Sequence, residues 1–310
     1  MDIDFTQLYE EEQSFLWGFC YRMCGNAAEA EDLVQDTFVR AMERPPADLS
    51  LPWRPWLVRV AANLSHDRFR RSKRAEYIGP WLPTPVLTDD SHRLGKHLQA
   101  EPSSSGRYEM KESASIAFLV ALEALTPGQR LVLLLRDVYD FSVKETAEMT
   151  DMSEAAVKTT LHRAREALKV YDGERVPLDG ERMRRTGEVL EALLRRLAAK
   201  DVAGVRELLA DKAVSLSDGN GRFYAAKVPV EGADKVALLY SKIAPPDSET
   251  VDLRVTSLNH LPAVLLERPE APDGFAQRVA LALQLDADDK IVKLFTVLAP
   301  AKLVALPSLR

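Results

Sequence analysis

Residues 141–169 read FSVKETAEMTDMSEAAVKTTLHRAREALK, and how this stretch folds decides what kind of chain this is. Residues 143–149 suit a short helix whose Ala147 is small enough for a second helix to approach, and Thr150, Asp151 and Met152 supply turn chemistry. Ser153 then caps a second helix. There Ala156, Val157, Thr160, Leu161, Ala164 and Leu168 share one face, while Lys158, Thr159, His162, Arg163 and Arg165 lie off it. A short, polar, basic helix behind a tight turn fits a major groove, with Arg and Lys for phosphate and guanine and Thr for base methyls. Duplex DNA binding is the first expectation; the plainer alternative is a helical hairpin with a solvated basic face.

Working outward, 310 residues with 46% hydrophobic and 28% charged side chains are enough for two or three domains with cores of their own. No apolar run is long enough to span a bilayer and the acidic start MDIDFTQLYEEEQ is not a secretory signal, so a cytoplasmic protein is expected. A net charge of -6 excludes whole-surface attraction to nucleic acid and leaves that task to local basic patches. Cys20 and Cys24 lie four apart with no further cysteine, and His66, His92 and His97 are remote in sequence. They read as small buried hydrophobes; no metal and no cofactor is expected.

Upstream, residues 5–44 form a helical unit broken at Gly25 and Asn26. In AEAEDLVQDTFVRAMER, residues 28–44, the stripe Leu33, Val34, Thr37, Phe38 and Met42 is expected to be buried. This leaves Glu29, Glu31, Asp32, Gln35, Asp36 and Arg40 outside, as a docking face for a basic partner helix or simply a solvated face. After Pro45, Pro46 and Pro52 comes WRPWLVRVAANLSHDRFRRSKR, residues 53–74, in which seven basic residues accompany one acid, Asp67. Arginines interleaved with aromatics suit a surface that tracks a phosphate backbone and holds unstacked bases; the alternative is a basic helix end with Trp53 and Trp56 in the core.

Residues 76–112 combine YIGPWLPTPVL, extended and anchored, with a polar stretch, and read as an interdomain linker. Residues 115–125 and 127–138 make two helices, with Thr126 as N-cap before Pro127. Beyond Lys169 come helices at 182–200 and 202–209. Short alternating runs follow at 214–217 and 222–228, which read as strands either side of a DGNG hairpin turn at 218–221, then a helix at 233–243 and strands at 251–258, 263–268, 275–285 and 291–298. Helices followed by a mostly antiparallel sheet indicate an α+β domain of roughly 120 residues.

With these pieces in place, the chain resembles the extracytoplasmic-function group of sigma-70 transcription initiation factors. The resemblance is carried by AEDLVQDTFVRA at 30–41 and by LTPGQRLVLLLRDVYDFSVKETAEMTDMSEAAVKTTLHRARE at 125–166. The remainder is similar to a subgroup with a fused SnoaL-like domain. Its linker motif is present as Trp81-Leu82-Pro83-Thr84-Pro85, its Asp-Gly-Gly-Gly-Lys motif as Asp218-Gly219-Asn220-Gly221-Arg222, and its C-terminal motif as Ala299-Pro300-Ala301-Lys302-Leu303. The resemblance implies a multidomain fold: two all-α DNA-binding domains, the second a helix-turn-helix, then an α+β SnoaL-like cone with a curved, mostly antiparallel sheet. It divides the chain into region two at 1–75, a linker at 76–114, region four at 115–172 and a regulatory domain at 173–310.

By the same resemblance, Glu31, Asp32, Gln35, Asp36 and Arg40 would bind the clamp coiled coil of core RNA polymerase, whose flap would be a second contact. Arg59, Asn63, His66, Asp67, Arg70 and Arg71 would hold the minus-ten single strand. Ser153, Glu154, Ala156, Lys158, Thr159, His162 and Arg163 would read the minus-thirty-five duplex, with Leu161 and Ala164 in the core. Trp81, Leu82, Pro83, Asp218, Gly219, Gly221 and Arg222 would form a regulatory contact between linker and cone. Asp218 and His260 sit in turns and are expected to be structural, not an acid–base pair. The chain would act as a monomer on polymerase, perform no reaction and bind no membrane, while its cone leaves room for an unidentified small ligand. The rival reading is a one-component, ligand-responsive helix-turn-helix regulator, which would need neither the acidic face nor the single-strand patch.

Overall fold

A computed structural model describes residues 3–71, 77–88, 97–98, 106–176, 178–245 and 251–309. The chain forms two compact units. One comprises Met1–Arg74 with Asp90–Gly173, the other Ala75–Asp89 with Glu174–Arg310. The stretch 76–114, read as one linker, is thus divided between them.

The first unit is helical. Asp4 caps α1 (Phe5–Cys24) by accepting from the Thr6 and Gln7 amides, and Gly25, at φ 67°, ends it. Asn26 caps α2 (Ala27–Glu43) in the same way, and α3 (Trp53–Arg71) completes a three-helix cluster. Leu33, Val34, Thr37 and Phe38 of α2 are buried as the helical spacing requires, but Met42 is 54% exposed. The correction has a simple cause: Ala41 takes the inward position in that last turn, at 0% exposure.

After α4 (Met110–Ser113) and α5 (Ile116–Ala121), a Thr126/Gln129 capping box with Pro127 in the first turn starts α6 (Pro127–Leu133). A second box, Ser142/Glu145, starts α7 (Val143–Thr150), which ends on Asp151 in the left-handed region; Ser153 then caps α8 (Glu154–Ala167). Val132, Val157 and Leu161 form the core beneath this pair, with Val143, Ala147 and Met152 against it. The helix-turn-helix reading of 141–169 is realised. A last short helix, α9 (Lys169–Glu174), returns Asp172 to Tyr108 and Arg107.

Two buried arginines join the parts of this unit. Arg22 donates to Ser113 Oγ at 2.8 Å, to the carbonyls of Gly18 and Met110 at 3.0 Å, and to the Tyr139 hydroxyl at 3.3 Å. Arg130 donates to the Met23 and Leu122 carbonyls at 2.7 Å and to Glu123 at 2.8 Å. Both satisfy carbonyls and hydroxyls that burial would otherwise leave costly. Around them α3 packs against α6 and α7. Cys20 and Cys24 lie reduced in the core, and burial raises the Cys20 thiol well above its ordinary range.

In the second unit α10 (Gly180–Ala198) and α11 (Val202–Leu208) lead into a six-stranded sheet of order β2-β1-β6-β5-β4-β3. The strands are β1 (Leu209–Asp218), β2 (Val230–Glu231), β3 (Asp252–Leu258), β4 (Leu261–Glu267), β5 (Arg278–Leu285) and β6 (Ile291–Val297), with α12 (Ala233–Ile243) after β2 and α13 (Pro300–Leu303) last. Only β1 and β6 pair in parallel, Ser215 opposite Leu294; the other pairings are antiparallel, as in Val255 opposite Val264. Leu190, Leu193, Val236, Leu281, Leu283 and Leu294 belong to the core between helices and sheet. The α+β cone is therefore as expected.

Two local expectations are not met. Residues 222–228 form no strand, because no neighbouring strand makes a ladder with them: Tyr224 and Val228 are 70% and 68% exposed, and the Tyr224 amide donates to the Gly274 carbonyl in a loop. The DGNG turn likewise joins no hairpin. β1 passes from its parallel partner β6 into a loop, and its antiparallel partner arrives only at Val230.

Candidate nucleic-acid interface and linker clasp

Three surfaces of the helical unit carry the residues singled out by sequence. On α2, Asp32, Gln35, Asp36 and Arg40 are exposed and Glu31 half-buried, beside an apolar margin of Val39 and Met42. Arg68 of α3 donates to Asp36 at 2.7 Å and to Asp32 at 3.4 Å. Exposed pairs of this kind contribute about 0–1 kcal/mol.

On α3, Arg59, Asn63 and His66 are exposed and Asp67 partly so, at helical spacing along one side; Leu57, Val58, Ala61 and Ala62 are buried behind them. The Arg70 and Arg71 side chains lie outside the described residues. Trp53 and Trp56 pack edge-to-face at 5.8 Å and Trp53 meets Phe5 at 6.1 Å, so these rings anchor the start of α3 within the unit.

On α8, Ser153, Glu154, Lys158, Thr159, His162 and Arg163 are exposed, Ala156 is partly buried, and Leu161 and Ala164 are buried. Arg165, off the apolar face, turns back as a two-bond partner of buried Asp137 at 2.6 and 2.8 Å, which raises its pKa and ties the helix to the segment before α7.

The second unit holds the linker. Fully buried Asp218 accepts from the Leu82 amide at 2.8 Å, from Lys302 at 2.6 Å and from the Tyr77 hydroxyl. Lys302 also donates to the Leu82 carbonyl, and its ammonium lies 4.4 Å from the Trp81 ring centre and 4.9 Å from that of Tyr77. A buried cation is thus closed in by a carboxylate, a carbonyl and two aromatic faces. Burial first and Asp218 second push the Tyr77 phenol far above its ordinary value.

Gly221, at φ +71°, lies under Ile78, where an added Cβ would come within 3.0 Å of that side chain. Further along, Val86 donates to the Asn259 side chain at 2.9 Å and its carbonyl accepts from the Asn259 amide at 2.8 Å. Leu87 bridges Leu258, and Thr88 bonds Ser257 and the His260 amide. Asn259 and His260, both at positive φ, form the tight turn from β3 to β4.

Of the predicted linker contacts the structure brings together Trp81, Leu82, Asp218 and Gly221; Pro83 and Gly219 are buried nearby, and Arg222 is exposed. Sequence reasoning missed Tyr77, Asn259, Arg22 and Arg130 as organisers. A charged residue inside the apolar run FLWGFCYRMC was the available signal for Arg22. Among the described residues no group suited to a metal ion occurs, and no helix is long and apolar enough to cross a membrane.

Residues 8–75 match the family model for Sigma-70 region 2, and residues 115–168 that for Sigma-70, region 4. The chain is 32% identical over 232 residues to the ECF RNA polymerase sigma factor SigJ of Mycobacterium tuberculosis, an alignment covering 74% of this chain and 69% of that protein. The chain belongs to the extracytoplasmic-function sigma factors. The crystal structure of M. tuberculosis SigJ superposes with a TM-score of 0.73 at 25% identity, over 97% of this chain and 99% of that one. SigW of Bacillus subtilis is 30% identical over 168 residues, covering 54% of this chain and 86% of SigW. This sigma factor is accordingly an alternative transcription initiation factor with a SnoaL-like domain behind its two sigma regions.

Proposed function

We propose that the α2 face of Glu31, Asp32, Gln35, Asp36 and Arg40 docks on core RNA polymerase, that Asn63 with Arg59, His66 and Asp67 holds an unpaired minus-ten base, and that α8 reads the minus-thirty-five duplex through Lys158, Thr159, His162 and Arg163. Polymerase performs the chemistry; this chain selects the start site and helps to open it. Stacking of each unpaired base contributes about 1–3 kcal/mol, similar to one bidentate base contact, so both sites set promoter choice.

The helical unit as folded is the closed form. Elements whose names place them about 25 base pairs apart are separated by about 85 Å of duplex. Here α3 packs directly against α7, the first helix of the reading motif, so the two sites engage one promoter only after they part. The SnoaL-like domain governs that step by holding the linker. The observation that carries this reading is the Asp218–Lys302 clasp on Leu82.

Run-off transcription with bacterial core polymerase on this protein's own upstream promoter tests it, comparing the full chain, Asn63→Ala and Asp218→Ala. The expected result is core-dependent transcript that Asn63→Ala weakens and Asp218→Ala changes in level. Transcription indifferent to Asp218→Ala overturns the regulatory role of the clasp, and indifference to Asn63→Ala overturns the base-capture role.

A further inference from the structure

The cone of the second unit encloses a cavity of about 330 Å³ between α10, α12 and the sheet, within the range of roughly 300–1,000 Å³ typical of small-molecule sites. Its walls are largely apolar, with aliphatic Leu194, Leu239, Val264 and Leu281 and aromatic Phe223 and Phe275. Short residues line it where longer ones would fill it: Ala198, Ala226, Ala244 and Ala276. Such a volume left open among apolar side chains forfeits packing that a few larger residues would restore.

Polar groups are few: beside Ser217, Tyr224 and Arg268, two hydroxyls stand together. The Tyr240 hydroxyl meets Thr296 at 2.7 Å and Ser215 at 3.1 Å, and Tyr240 and Thr296 both line the cavity. Burial raises the Tyr240 pKa, so this end is neutral. Among the described lining residues there is no carboxylate, imidazole, amine or thiol to act as acid, base or strong nucleophile. The guanidinium of Arg268 lies over the Phe275 ring at 5.2 Å. Asp218 and His260 are both absent from the lining and engaged with the linker.

We propose that the cone cavity binds a neutral, largely apolar small molecule that places one hydrogen-bonding oxygen at the Tyr240–Thr296 hydroxyls, and that its occupancy is transmitted to the linker clasp. The wall and the clasp are the same piece of chain. Ser217 lines the cavity and the next residue holds Leu82. Leu298 lines it, and its amide donates to the Asp218 carbonyl at 2.8 Å. Phe223 and Ala226 line it from a loop whose next residue, Lys227, lies beside Gly79 of the linker. A ligand that moves residues 217–226 therefore moves the support of the linker. Binding stands by itself; the transmission rests on the regulatory role proposed for the clasp.

The test uses the full chain and the neutral fluorophore N-phenyl-1-naphthylamine. Saturable enhancement with one probe per chain is expected. Ala244→Trp and Val279→Trp, which fill the cavity from different sides, should each weaken binding by about tenfold or more, with circular dichroism and elution unchanged. Absence of saturable binding, affinities in both folded variants within about twofold of the native chain, or tighter binding of the anionic 8-anilinonaphthalene-1-sulfonate would overturn the site or its ligand class. Hydrogen exchange at the Leu82 amide, measured with and without saturating probe, reads the transmission apart from transcription. A change of about threefold or more supports it, and an unchanged rate with probe bound overturns the transmission while leaving the site intact.

Discussion

The surfaces proposed to face DNA and the linker clasp are built on opposite principles. Asn63, His66, Lys158 and His162 are exposed on helices whose other faces are buried; the partners proposed for them belong to another molecule, and within this chain they are left in water. Asp218, Lys302 and Leu82 are buried and bonded to one another, because their partner is the same chain. Damage to the first should therefore cost function with little stability, and damage to the second should cost stability and alter function.

The largest effect falls on the clasp. Asp218→Ala strands the Lys302 ammonium and the Leu82 amide and should destabilise the second unit by about 3–5 kcal/mol, the cost of breaking a buried pair from one side. In urea unfolding, Asp218→Ala with Lys302→Met should recover part of that loss. A double variant as unstable as the sum of the two singles would show that the carboxylate and ammonium do not act as a pair. Arg22→Met follows. It removes the donor to Ser113, Met110 and Tyr139 and should cost about 3 kcal/mol in the helical unit. If Arg22→Met unfolds at the native urea midpoint, the buried arginine is not what joins α1 to the segment before α5.

Asn63→Ala is the contrasting case. Its stability should stay within about 0.5 kcal/mol of the native chain, while open-complex formation on the cognate promoter weakens by about 1–3 kcal/mol, the scale of one base contact. Parallel measurement of urea midpoint and transcript yield separates the two. A large drop in midpoint would place Asn63 in the fold and erase the distinction from the clasp.

Legibility in the sequence follows the same division. The helix-turn-helix was readable because capping, spacing and turn chemistry agree within 29 contiguous residues: Ser142, Asp151 and Ser153 all do locally what their types favour. The α+β order was readable from period-two runs. The clasp was only partly readable, since Tyr77, Leu82, Asp218 and Lys302 are up to 225 positions apart and no local pattern links them. Trp81, Leu82 and Asp218 entered through resemblance to a subgroup; Tyr77 and Asn259 carried no signal. The strand expected at 222–228 failed because alternation alone does not supply a neighbouring strand.

The smallest effect sharpens the comparison from within the clasp. The Tyr77 phenol has a folded pKa raised above its ordinary value of 10.0, so the folded chain binds that proton more tightly than the unfolded chain. Its contribution is complete below about pH 10 and is lost as pH rises above that value. Tyr240, also raised, adds loss of the same sign in the same unit. Tyr77→Phe should cost about 1 kcal/mol at neutral pH, one hydrogen bond, and should make the fall in stability above about pH 10 shallower without abolishing it. An unchanged slope would mean that the Tyr77 hydroxyl is solvated in solution and that Asp218 holds the linker through Leu82 and Lys302 alone. The clasp would then differ from the surfaces proposed to face DNA by two contacts rather than three.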